Sequence, residues 1–549
     1  MKRKHTKLIC LGLALCLLTG LALGCGSSAN DTKTASAEDA VQAADQTTEM
    51  TTAAAPDGAS PADLGERPDG TPPEGMGQPP ERPDGNPPGG MGQPPERPDG
   101  TPPGGMGQPP ERPDGTPSGG MHGGPGGMGQ PPAGGPGGGP GGSSADIEYK
   151  GAVEITAADS QSGQTYASDT ADESALLVST GDAVTVDEPT VTKSGSSDGG
   201  DSCNFYGLNA AVLIKDGANV TITGGTITSD AMGANGVFCY GGNGGRNGAT
   251  GDGTTLTIRD TVITTTGGGS GGIMTTGGGV TYAYDLTVTT SGQSSAPIRT
   301  DRGGGTVYVD GGTYTSNGLG SPTIYSTAEI YVSNATLTSN LSEGVCIEGK
   351  NSIELTNCDM TANNTKMNSN ASFLDTIMIY QSMSGDADSG TSAFTMTGGS
   401  LTSKSGHVFH VTNTNAVINL NDVTILNEDA QNILLSVCAD GWSGASNVAT
   451  LNASKQALAG TILVGSDSTL TLNLTDGSVL IGTISGSITN AKGSVVSTQV
   501  GTVHVSLDGT STWTLTADTY VTSFTGDASQ VIANGYTLYV NGVALTGTK

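Results

Sequence analysis

The chain reads as an all-β protein, a right-handed parallel β-helix preceded by a disordered Pro/Gly-rich tether. Three observations predict that class. Between Ile222 and Leu426 one pattern recurs eight times: an apolar residue, a Gly, Asn or Asp two places on, and an apolar residue five places on. Five of the seven steps between copies fall in 23–26 residues, which signals stacked units rather than one closed core. Within each copy the apolar period is 2, as in Val220-Thr221-Ile222-Thr223, and no helical period competes with it.

The elements of one unit follow in order. The first members are Ile222, Ile258, Ala283, Val309, Val332, Leu355, Met396 and Leu420, in segments rich in Thr, Val and Ile. Such β-branched residues suit strands. Two places on stand Gly224, Asp260, Asp285, Gly311, Asn334, Asn357, Gly398 and Asp422. Gly, Asn and Asp tolerate positive φ best, so a left-handed corner is predicted at each. Five places on, Ile227, Ile263, Val288, Tyr314, Leu337, Met360, Leu401 and Ile425 begin a second buried row. A third strand follows, with an apolar residue always in its second place: Phe238, Met274, Ile298, Ile324, Cys346, Met378, Val408 and Leu434. These eight are expected to line one interior ladder, one strand spacing of about 4.8 Å apart.

The repeat resembles the pectate-lyase-like β-helix superfamily, and the layout resembles β-helical carbohydrate-binding surface proteins of clostridia. The resemblance covers about residues 180–440. It implies a fold that hosts polysaccharide lyases, glycosidases, adhesins and binding proteins, so it implies little about activity.

Residues 1–24 read as an export signal. Lys2, Arg3, Lys4 and Lys7 precede an apolar run from Leu8 to Leu23. Ala22-Leu23-Gly24-Cys25 resembles a lipobox with its first two residues exchanged, which marks Cys25 for lipidation. Residues 25–144 form the tether. They start poor in large apolar residues and pass into a 15-residue repeat, with Glu66-Arg67-Pro68-Asp69-Gly70 recurring at Glu81, Glu96 and Glu111. Fully extended at about 3.1 Å per residue, this segment would reach roughly 350 Å, enough for a thick Gram-positive cell wall. Residues 145–549 are assigned to the β-helix, with an N-terminal cap before residue 220 and narrower coils after residue 446. Val184-Thr185-Val186 reads as an earlier coil, and Asp198 to Tyr206 as a loop.

Charge excludes some partners. With 22 basic and 52 acidic side chains the formal net charge is −30, which repels nucleic acid and anionic lipid. A bridging Ca²⁺ is the one cofactor left open. Asp386 and Asp388 in Gly-Asp-Ala-Asp-Ser-Gly could supply carboxylates, although a solvated turn is the plainer reading. Gly241 to Gly253 is read as a flexible loop. Cys203, Cys239, Cys346, Cys358 and Cys438 lack C-x-x-C spacing and read as free thiols.

Period 2 places Arg299, Tyr325 and Ile347 outward if Ile298, Ile324 and Cys346 face in. The candidate ligand-binding face is therefore Arg299, Asp301, Arg302, Tyr325, Glu348, Lys350, Tyr380 and His410. Tyr240 and His407 lie at its edge. Aromatic rings stack on sugars, and charged groups orient hydroxyls. Catalytic residues are not assigned. Glu343 stands near Glu348 in sequence, but a glycosidase needs both on one cleft. The expected function is a monomeric, lipid-anchored surface protein that binds polysaccharide or another surface ligand without catalysis. The alternatives are a polysaccharide lyase or glycosidase, and a structural stalk or protein-binding adhesin.

Overall fold

The computed structural model describes residues 147–244, 250–368 and 370–549. Cys25, the export signal and the tether lie outside the described residues, as does the centre of the loop from Gly241 to Gly253. From residue 150 onward, 53% of residues are strand and 2% helix, which leaves a parallel β-helix as the fold.

Three long parallel sheets form its sides. The first holds 13 strands, from Lys150–Ile155 to Ile484–Ser485. The second holds 14, from Asp159–Ser162 to Ser523–Thr525, and the third holds ten, from Thr165–Ser168 to Thr424–Asn427. Each strand pairs with the strand one coil away, as Ile258 does with Ile222 and Ala283. Two coils precede the first copy of the repeat, and Val184–Val186 lies in one of them. Beyond residue 454 a four-stranded sheet from Ala457–Ala459 to Val531–Ile532 takes over the third side. An antiparallel hairpin, Ser487–Thr489 with Val495–Thr498, follows the last strand of the first sheet.

The eight corners adopt the expected conformation, with φ between 50° at Asp285 and 75° at Gly311. Glu188 and Lys455 turn corners in the same way, at φ of 49° and 51°, although neither type favours it. The two rows read from the repeat also form. Ile222 to Leu420 is one continuous column of the second sheet. Ile227 to Ile425 is one column of the third. Both belong to a single apolar core that runs the length of the coil.

The first sheet departs from expectation. Its inner column is Val212, Val237, Ile273, Ile298, Ile324, Val345, Ile377, Phe409 and Leu435. Ile298 and Ile324 point inward as expected, and Val408 and Leu434 join the core beside Phe409 and Leu435. Phe238, Met274, Cys346 and Met378 do not. They share an outward column with Arg299 and Tyr325, and Ile347 points inward instead. The strands at Ile298 and Ile324 start one residue later than a common count assumes, and a one-residue slip in a period of 2 exchanges the faces. Apolar residues occupy both faces because the outer face is covered too, so no alternation marked the inward side.

At one end the cover is a short helix, Asp201–Tyr206, where a loop was expected. Its Phe205 and Tyr206 pack with Phe238, Tyr240 and Met274 in a separate apolar cluster. The five described cysteines are free and buried.

Candidate functional site

The outer face of the first sheet changes character along its column. After Met274 come Arg299, Tyr325, Cys346, Met378 and His410, and three loops rise around them. A cleft of about 260 Å³ opens there. Tyr325, Cys346, Glu348, Met378 and Tyr380 contribute from the sheet, and Glu343 from the turn before it. Asn368 and Ala371, then Ser382, Ser384 and Asp386, and finally Trp442 come from the loops.

Glu348 is the hub. Tyr325 donates its hydroxyl to Glu348 Oε2 at 2.6 Å and Tyr380 at 3.0 Å. Ser382 and Ser384 donate to Oε1, the latter at 3.3 Å. Burial, then the Glu348 charge, raises both tyrosine pKa values well above the ordinary value, so the phenols stay protonated donors. The Tyr380 and Trp442 rings meet at 4.9 Å and 51°, giving the cleft an aromatic wall. Glu343 sits in a different setting. Its main partner is the Ser342 hydroxyl, and burial pushes its pKa up against that bond. Three carboxylates therefore line one cleft: Glu348 with four hydroxyl donors, Glu343 biased towards its protonated form, and Asp386 paired with Arg302. Sequence distance alone left that point open.

The expected arginines are occupied. Arg299 Nη2 lies 2.6 Å from Asp301 Oδ2, and its guanidinium rests 5.6 Å from the Tyr325 ring centre. Burial outweighs that pairing and lifts the Asp301 carboxyl to about 6. Arg302 pairs with Asp386 at 2.5 Å and covers the Phe205 ring at 4.3 Å. These contacts tie the helix and the loop at residue 386 to the sheet. They leave neither arginine aimed at a ligand.

Two other expected residues are elsewhere. Lys350 pairs with Asp388 at 2.9 Å and is absent from the cleft lining. His410 belongs to the right column but is fully buried. Its Nδ1 lies 2.7 Å from Ser436 Oγ, its Nε2 3.4 Å from Asp440 Oδ2, and the Phe373 ring lies over it at 4.8 Å. The Ser436–His410–Asp440 arrangement cannot meet a substrate, because Ser436 is also fully buried. It anchors instead, since Asp440 holds Ser372 through that residue's backbone N–H at 2.8 Å. Tyr240 and His407 are buried as well.

The carboxylates of Asp386 and Asp388 are both paired with basic side chains, unlike a cation site. No cluster of three or more metal-ligating side chains occurs among the described residues. Glu343, Ser382, Ser384 and Trp442 were missed as site residues. The one available signal was Trp442, one of two tryptophans in the chain. No family model matches the chain, and comparisons with curated proteins and with solved structures find no match.

Proposed function

We propose that the chain binds a polysaccharide in the cleft on the outer face of its first sheet, and that it does so as a lipid-anchored protein outside the cytoplasmic membrane. The cleft itself supports the binding reading. Tyr380 and Trp442 offer ring surface, while Glu348, Ser382, Ser384 and Asn368 offer acceptors and donors for sugar hydroxyls. Anchoring rests on the sequence around Cys25. Neither arginine is left free to grip a uronate, so a neutral glycan suits the cleft better than an anionic one.

Retention of the full chain on a panel of immobilised polysaccharides tests this. Trp442→Ala should weaken retention about tenfold, or 1.4 kcal/mol, whereas Lys350→Ala should leave it unchanged. Retention of no polysaccharide, or equal retention by the Trp442 variant, would defeat the reading. Metabolic labelling with palmitate, lost in Cys25→Ala, tests the anchor.

One observation favours a second reading, a glycoside hydrolase. Glu343 and Glu348 line one cleft in unlike surroundings, as an acid and its partner carboxylate would. Release of reducing sugar, abolished by Glu343→Gln and by Glu348→Gln separately, would support it. Binding without release would leave the protein a binder.

A further inference from the structure

The second sheet carries a feature that the cleft does not use. One outward column reads Thr257, Tyr282, Tyr308, Tyr331, Glu354 in successive coils. The three phenol rings stack in parallel: Tyr282 on Tyr308 at 5.1 Å and 8°, and Tyr308 on Tyr331 at 5.1 Å and 11°. Aromatics make up only 4% of this chain, so three of them stacked on an outward column are a marked local concentration. Tyr308 is 40% exposed. Among the described residues no other exposed stack has three rings. The neighbouring outward column places Tyr284, Asp310, Ser333 and Thr356 alongside. Between the two columns runs a groove of about 310 Å³.

We infer that this groove is a second glycan site, which takes an extended neutral oligosaccharide lying along the coil axis. The groove spans four coils, about 14 Å at a strand spacing of about 4.8 Å, which fits a short run of sugar units. The rings give one wall apolar surface in three of the four coils, and an extended glycan repeats its own apolar faces at a similar step. Asp310 and Glu354 offer carboxylate acceptors to sugar hydroxyls. Burial and the adjacent Tyr282 hold the Tyr308 phenol above its ordinary pKa, so it remains a donor. Among the described residues no Lys, Arg or His lines the groove, and the guanidinium at its end, Arg259, is engaged over the Tyr284 ring at 5.0 Å. With two carboxylates in its walls and a net charge of −30 behind it, the groove would repel a uronic acid or phosphorylated polymer.

The site shares no lining residue with the first cleft, and the inference does not depend on that cleft. Titration calorimetry on the full chain tests it, with neutral hexasaccharides of glucose, xylose and mannose and with hexagalacturonate as the anionic control. Tyr308→Ala should weaken at least one neutral ligand about tenfold and remove one site from the stoichiometry. Tyr308→Phe should retain binding within about threefold, and Trp442→Ala should leave this site intact. Identical affinity and stoichiometry of the wild type and Tyr308→Ala for every neutral ligand would overturn the inference. So would preference for hexagalacturonate. Loss with Trp442→Ala alone would uphold the first cleft and reject this groove.

Discussion

The outer face of the first sheet and that of the third are built on the same coils, yet they could hardly differ more. On the third sheet one outward column is Thr192, Thr228, Thr264, Thr289, Thr315, Thr338, Thr361 and Thr402. It is partly exposed along its length and chemically uniform. On the first sheet the corresponding column runs through Phe238, Met274, Arg299, Tyr325, Cys346, Met378 and His410, and a helix and loops cover it. The inner columns of the two sheets are alike. Loop length makes the difference: segments that lead into and out of the first sheet, such as residues 194–211, 381–390 and 438–446, are long enough to fold over it. Regular repetition supplies the scaffold, and departures from it supply the varied side chains of the proposed site.

The contrast can be broken by mutation, and the largest effect belongs to the loop anchor. The Asp440 side chain is 1% exposed and holds the loop at Ser372. Asp440→Ala should cost about 3 kcal/mol and raise hydrogen exchange in residues 370–373. Unchanged protection there would mean that the loops do not depend on the sheet beneath them.

Acidity should act on the same place. Burial, with His410 beside it, depresses His407 to about 3. The unfolded chain then binds a proton below pH 6.5 that the folded chain refuses. The stability this group contributes is complete above pH 6.5 and is lost as pH falls towards 3. Between pH 6.5 and 5 the loss should be about 2 kcal/mol, and His407→Gln should remove that part of the slope. Asp301, raised to about 6, works in the opposite direction: its native carboxyl keeps a proton that the unfolded one gives up, so stability falls as pH rises from about 4 to 6. Denaturant titrations of the wild type and both variants (His407→Gln and Asp301→Asn) at several pH values would separate the two.

Smaller effects sharpen the contrast. Tyr380→Phe keeps the ring but removes one donor from Glu348, and should reduce glycan affinity severalfold without changing the fold. On the bare sheet, Thr315→Ala should change stability by no more than about 0.5 kcal/mol and leave binding untouched, measured by the same titrations.

The same division decided what was legible in the sequence. Corners such as Asn334 and rows such as Ile227 to Ile425 could be read, because one conformation or one buried face selects few residue types. The first sheet could not be oriented, because Phe238 and Met274 are as apolar as the core while facing away from it. Arg299 and Tyr325 share the outward column expected of them, and Arg302 follows in the adjoining loop. Their roles depended on partners far along the chain, such as Asp386 for Arg302, 84 residues away. Glu343 and Trp442 reach the cleft through loop folding that no local pattern encodes.

Ligand binding is expected where loops and aromatics interrupt the plain coil. A crystal of the full chain soaked with the neutral oligosaccharide it retains best tests this most directly. Sugar density against Tyr380 and Trp442, or along Tyr282 to Tyr331, is the predicted result. Density on the threonine columns of the third sheet, with both other sites empty, would contradict it.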